Sequence, residues 1–272
     1  GGAPPAIVGA VSRGAVGARL APDRALGLQA AVSAVAGQGR NLVSGLPADN
    51  FGHQSVGARL THSIGAGDTL VLQARWSRTR GRGPAPRLLA VDPEGLLGPA
   101  TLAALAQPLP PQGLDQTAQN HDPRLAASRV QASLEYRHNG PVWHFEARTT
   151  MLRANLDHTE DGDASPLDLL VLSRSVRFRS LAQAFSLRHG RDGGTQWTLS
   201  VELVDERQSL TDAVSWSPRL LGLELATFGI PATATNAGTL GAQTAIRRRR
   251  IALGGEASLR LDRSRTVTLW SR

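Results

Sequence analysis

Cysteine and lysine are both missing from this chain of 272 residues, and methionine and tyrosine occur once each. Without cysteine there is no disulfide framework and no thiolate metal site, a composition that suits a protein crossing an oxidising compartment. With no lysine, all 30 basic residues are arginine, a compositional bias that carries little functional meaning by itself. Aromatic residues make up 4% of the chain, too few to build a stacking platform for bases. The net charge of +8 is scattered over alternate positions apart from one run, Arg247 to Arg250, so no nucleic-acid partner is expected. There is also no apolar run of the ~18 residues needed for a membrane-spanning helix. That absence leaves open a membrane protein that crosses with strands, which alternate in polarity and never form a long apolar run. A hydrophobic content of 41% argues against disorder.

Catalytic signatures are absent as well. No H-E-x-x-H, G-x-S-x-G or G-x-x-x-x-G-K-[ST] pattern occurs in the sequence. In Gly52-His53-Gln54-Ser55-Val56-Gly57 a serine lies near a histidine, but the spacing is not that of a nucleophile elbow, and a lumen-facing serine on a strand is the better reading. The run Asp157-His158-Thr159-Glu160-Asp161-Gly162-Asp163 places several oxygen ligands close together. It lacks the order of a calcium loop, so a solvated loop is expected. The seven histidines have no metal spacing. The sequence therefore predicts a protein that is not an enzyme, with no catalytic residue, no metal site and no cofactor.

What the sequence does contain is a series of segments with period-two alternation. They lie at 26–37, 53–64, 68–78, 127–137, 141–152, 180–189, 195–206, 249–261 and 264–271, with a weaker one at 15–20. Their joints alternate in length. Tight joints stand at Pro22-Asp23-Arg24, Gly65-Ala66-Gly67, His138-Asn139-Gly140, Gly190 to Gly194 and Asp262-Arg263, and long stretches at 38–52, 79–126, 153–179 and 207–248. Short turns on one side and long loops on the other are the pattern of a transmembrane β-barrel. The fold class predicted is all-β, an antiparallel up-and-down meander of about ten strands that forms part of an outer-membrane barrel. Within the proline-rich stretch 79–126, Pro99 to Gln107 is expected to form a short helix. The run Arg247 to Arg250 is expected at the rim, where a long loop enters the strand 249–261.

Each segment divides into two faces. Leu70, Leu72, Ala74 and Trp76 oppose Gln73, Arg75 and Ser77; Val130, Ala132, Leu134 and Tyr136 oppose Arg129, Gln131, Ser133, Glu135 and Arg137. Trp143, Phe145, Ala147 and Met151 stand against His144, Glu146, Arg148 and Thr150, and Trp197, Leu199, Val201 and Leu203 against Thr198, Ser200 and Glu202. In a barrel the first set meets lipid and the second lines a wet lumen; in a soluble sandwich the first set would be the core. Trp76, Tyr136, Trp143 and Trp197 near segment ends suit a membrane interface.

Several stretches carry a family resemblance. Val16–Gln29 (VGARLAPDRALGLQ), Gly39–Gly45 and Asp49–Leu60 (DNFGHQSVGARL) resemble the early barrel of TonB-dependent outer-membrane receptors. Asp161–Asp168 and Leu181–Leu187 are similar to a mid-barrel loop and the strand after it, and Leu253–Leu269 (LGGEASLRLDRSRTVTL) to a recurring hairpin of that family. The resemblance implies residues 1–272 as a partial barrel, with 79–126 as a long extracellular-type loop. It also implies energy-coupled uptake of a scarce nutrient such as a ferric siderophore, a cobalamin or a glycan. The partners implied are outer-membrane lipid and lipopolysaccharide, the TonB system through an N-terminal plug, and a small-molecule ligand at the extracellular loops of a Gram-negative cell. A passive porin-like channel and a soluble or secreted β-sheet adhesion module are the alternatives. No ligand-contacting residue can be named from the sequence. The start at Gly1-Gly2-Ala3-Pro4-Pro5 and the strand-like end at Leu269 to Arg272 suggest a piece of a longer protein.

Overall fold

Among the described residues, ten antiparallel strands follow one another in one sheet, each paired with its neighbours in that order and with no crossover. In the computed structural model they are β1 (Val8–Ala21), β2 (Arg24–Ala36), β3 (Phe51–Ser63), β4 (Asp68–Gly81), β5 (Arg124–Asn139), β6 (Trp143–Asp161), β7 (Leu170–His189), β8 (Gln196–Trp216), β9 (Gly238–Arg260) and β10 (Thr266–Ser271). The helices α1 (Pro99–Leu105) and α2 (Pro218–Thr227) lie in the connections β4–β5 and β8–β9. The structure describes residues 8–21, 23–36, 40–41, 50–82, 98–106, 116–117, 119–190, 196–227, 238–260 and 266–271. Among them the sheet is open, with β1 and β10 at its two edges. No described helix is long and apolar enough to cross a membrane.

The expected meander is present, and so is the helix expected from Pro99. The tight joint at Gly65-Ala66-Gly67 works because both glycines adopt positive φ, 117° and 147°, which a residue with a Cβ rarely adopts. A Cβ at Gly67 would also meet the Asn139 carbonyl oxygen of the neighbouring strand at 2.7 Å. The joint Asp262-Arg263 falls outside the described residues.

The strands correct the expected loop lengths. Much of 153–179 is strand, because β6 runs to Asp161 and β7 starts at Leu170. Likewise β8 extends to Trp216 and β9 starts at Gly238, inside the expected loop 207–248. Arg247 to Arg250 therefore lie in mid-strand, paired with β8, and not at a loop entrance. The strands β6 to β9 have 19, 20, 21 and 23 residues, about twice the ~9–11 that a tilted strand needs to span a bilayer.

The faces explain this excess. Register partners in antiparallel strands point to the same side of the sheet, so one side can be followed from strand to strand. Toward the short turns it reads Leu26, Leu60, Leu72, Leu134 in one row and Leu28, Ala58, Ala74, Ala132, Met151, Leu181 in another. These side chains are uncovered: Leu28, Leu72 and Leu134 are each 47% exposed and Met151 61%. A soluble sandwich would bury them under a second layer; no such layer exists among the described residues. On β6 the apolar band runs from Trp143 to Met151. At ~3.4 Å per residue and a tilt of ~45° it is about 20 Å tall, close to the ~25 Å lipid-facing band of outer-membrane barrels.

Past Met151 both faces invert. The side that carried Phe145, Ala147 and Met151 continues with Arg153, Asn155 and Asp157, and the side that carried His144, Glu146 and Arg148 continues with Leu152, Ala154 and Leu156. The pairing of β6 with β5 and β7 shows no register shift through this region, so the inversion is chemical and not the work of a bulge. Such a reversal suits a wall whose surroundings change along its height.

Candidate functional site

Because consecutive strands are antiparallel, all four long connections gather at one end, and there the structure ties them together. The β2–β3 and β4–β5 connections are joined by a short parallel bridge, Arg40–Asn41 with Gln116–Thr117. The helix α1 of the β4–β5 connection meets α2 of the β8–β9 connection through Glu224. Its carboxylate accepts the Gly98 N–H at 3.0 Å and the Thr101 hydroxyl at 2.5 Å. That carboxylate at the start of α1 takes the place of a side-chain N-cap, which Gly98 cannot supply.

Asp161 makes the second tie. It ends β6, is 1% exposed, and accepts backbone N–H groups from Asn120 (3.1 Å) and His121 (3.3 Å) with one oxygen. Its other oxygen accepts those of Asp163 (3.1 Å) and Ala164 (3.0 Å). Burial, followed by the neighbouring Asp163 carboxyl, pushes its pKa up to about 7 against these donors. Asn120 N–H also reaches the Ser165 carbonyl at 3.1 Å, the His121 ring meets Asp168 at 3.1 Å, and Ser217 N–H donates to the Leu169 carbonyl at 3.0 Å. The acidic stretch Asp157–Asp163, expected as a solvated loop, is thus mostly strand ending in a buried carboxylate that organises the loop cluster. No group of acidic and histidine side chains suited to a metal ion occurs among the described residues.

Beneath the cluster, the inner face presents apolar side chains. Ala154 pairs with Phe178, and Leu156 with Val176, which pairs with Leu210. Ala154, Leu156, Val176 and Phe178 border a cavity of about 290 Å³ together with Thr79 and Ala127. Further toward the short turns the same face becomes ionic. Glu135, 9% exposed, accepts from Arg148 Nε at 2.9 Å, Arg148 also bridges to Glu146 at 2.9 Å, and Arg250 pairs with Glu202 at 3.2 Å. On β1 to β4 this face has a recess of about 770 Å³, where Gly27 and Gly57 leave room beside Gln29, Arg59 and Arg75. Ser55 is buried on this face and His53 bonds Thr79 at 2.9 Å; the two are wall residues of the lumen side.

At the short-turn end, the opposite side carries an aromatic group. Trp143 and Trp197 meet edge to face at 5.4 Å with His189 against both, and Tyr136 lies 6.1 Å from Phe145. This is the girdle expected from the sequence on that side. Trp76 is the exception: it sits inside β4, level with Val130 and Arg153, at the upper limit of the apolar band.

No protein-family model matches the sequence, and no curated protein matches it. Solved structures do. The fold is similar to the ferric yersiniabactin uptake receptor FyuA from Yersinia pestis, with TM-score 0.59, 10% identity, and coverage of 94% of this chain and 44% of that one. It is similar to the ferric-catecholate import receptor Fiu from E. coli K12, with TM-score 0.56, 12% identity, and coverage of 96% and 42%. The RagAB peptide transporter gives TM-score 0.52, 10% identity, and coverage of 93% and 30%. The chain has the fold of a TonB-dependent receptor barrel. It spans less than half the length of each of these receptors, and they are receptors and transporters, not enzymes.

Proposed function

We propose that the chain is part of the barrel of an outer-membrane receptor of a Gram-negative cell that takes up a scarce nutrient in an energy-coupled step. The observation that carries this reading is the pairing of a lipid-facing apolar band with a loop-tied vestibule above it. A passive pore has no need to hold its outer loops together over an apolar inner wall. The whole protein would add a plug and contact with TonB. Ligand capture would occur where the connections β4–β5, β6–β7 and β8–β9 meet, and the apolar patch of Leu156, Val176 and Phe178 beneath them suits the nonpolar part of a ligand. Ferric siderophores, cobalamins and glycans are the candidate cargoes; siderophores gain support from the uptake receptors whose fold the chain shares.

The test is uptake by cells that make the full-length protein, supplied with a panel of labelled ferric siderophores and cyanocobalamin, with and without TonB. Uptake of one member that disappears without TonB supports the proposal. Uptake that persists without TonB would identify a passive porin-like channel instead.

A further inference from the structure

We infer that the tied connections form a proton-operated clamp, shut while Asp161 and Asp163 hold one proton between them and released when that proton leaves to water. The two carboxyls are hydrogen-bonded to each other at the end of β6, where Asp161 is buried. Two carboxylates in contact away from water repel, so such a pair keeps one proton. Their other partners are unequal. Asp161 collects four backbone N–H groups, from Asn120, His121, Asp163 and Ala164. Asp163 holds the Leu170 N–H at 3.2 Å and the Ser165 hydroxyl. When the pair loses its proton, Asp163 has fewer donors to hold it and is the member that swings away.

Its departure undoes the joints between connections. Ser165, itself buried, accepts the Asn120 N–H on its carbonyl at 3.1 Å and the Leu167 N–H on its hydroxyl oxygen at 3.1 Å. Once Asp163 releases Ser165, the β6–β7 connection loses its hold on β4–β5. The same stretch reaches β8–β9, where Ser217 donates its N–H to the Leu169 carbonyl and its hydroxyl to the Asp168 carbonyl. One proton therefore bears on three connections. The other titratable and charged groups around the pair come from three sides. The β4–β5 connection brings His121, whose ring meets Asp168 at 3.1 Å, and Asp122. On β6 stand His158 and Glu160, 3.9 Å apart, and on β5 Arg124, the register partner of Thr159. From β7, Val171 lies in register with Asp161. The sign follows from burial. Asp161 has its pKa raised to about 7 from the ordinary 3.8, so the clamp is stable in acid and weakens as pH rises through about 7.

That the clamp governs entry of cargo to the apolar inner wall rests on the receptor reading; the clamp itself does not. The test uses the full-length protein in nanodiscs, without cargo. A nitroxide on Leu167→Cys reports the mobility of the β6–β7 connection, and one on Thr211→Cys, in mid-strand on β8, serves as reference. Between pH ~5 and pH ~9 the mobile fraction at Leu167 is expected to rise severalfold, with its midpoint near the Asp161 value of about 7, while Thr211 stays unchanged. Asp163→Asn leaves a single carboxyl and is expected to hold the connection immobile across the range. Asp161→Asn is expected to remove the pH response too; if that variant fails to fold, Asp163→Asn is read alone. His121 titrates in the same range, so His121→Gln is the control and is expected to keep the response. Mobility at Leu167 that ignores pH, or that falls as pH rises, would overturn the inference. So would a response that survives Asp163→Asn, one that vanishes in His121→Gln, or an equal change at Thr211. Protein that takes up cargo but keeps this connection immobile would sink only the clamp, whereas a working clamp in protein that takes up nothing would sink only the receptor reading.

Discussion

Placing an arginine at Leu72 separates the lipid-facing assignment from any other reading of the sheet. Leu72 stands in register with Leu60 on one side and Leu134 on the other. It is 47% exposed with no protein layer over it, and it lies between the short turn at Gly65 to Gly67 and the polarity change above Trp76. An arginine facing lipid near the bilayer midplane costs roughly 2–4 kcal/mol. At about 1.4 kcal/mol per tenfold, Leu72→Arg is expected to weaken folding into a bilayer by roughly 30- to 1,000-fold. Gln73, next in sequence, pairs with Arg59 and Ser133 on the opposite face, which is wet. Gln73→Arg adds one charge near Arg59, an effect expected within ~0.5 kcal/mol. The assay is urea-dependent folding of the full-length protein into lipid vesicles, read from the heat-modifiable migration of the folded barrel. Equal effects of the two substitutions, or a larger effect of Gln73→Arg, would refute the assignment of faces.

Further expectations concern the loop cluster and the orientation. Glu224→Gln removes the charged acceptor of Gly98 and of Thr101, which has 0% exposure; α1 and α2 are expected to separate at a cost of ~1–3 kcal/mol, seen as faster proteolysis within 98–106. For Asp161, the folded pKa of about 7 lies above the ordinary 3.8. Its neutral form therefore stabilises the clamp, an effect complete below the ordinary value and lost as pH rises through about 7. Amide protection at Asn120, His121, Asp163 and Ala164, corrected for intrinsic rates, should fall between pH ~5 and pH ~8 and lose that dependence in Asp161→Asn; protection that rises with pH would contradict this. Single cysteines at Ala66 and Asp168 should differ in intact cells, with an impermeant maleimide reaching only the second.

The meander was legible because hydrophobic alternation and turn chemistry are local. Leu70, Leu72, Ala74 and Trp76 against Gln73 and Arg75 declare a two-faced strand, and the Gly65–Gly67 turn declares where it reverses. The upper halves of β6 to β9 were not, and the reason is physical. A single phase of alternation was expected along each strand, and the phase inverts at Met151, so Leu152, Ala154 and Leu156 against Arg153, Asn155 and Asp157 looked like the start of a loop. The signal was present as alternation of opposite phase. The Asp161 and Glu224 ties were illegible for a different reason: they join connections from opposite parts of the chain.

If the sheet crosses a bilayer as far as Met151 and leaves it above, lipid and water exchange places along the outward side of β6. Nitroxide labels placed one at a time from Trp143 to Asp161 in the full-length protein, reconstituted in lipid, test it through their accessibility to oxygen and to a water-soluble nickel complex. Odd-numbered positions up to Met151 should favour oxygen, odd-numbered positions from Arg153 onward should favour nickel, and even-numbered positions should never favour oxygen. An alternation that keeps one phase through to Asp161, or nickel access at Phe145, Ala147 and Met151, would contradict it.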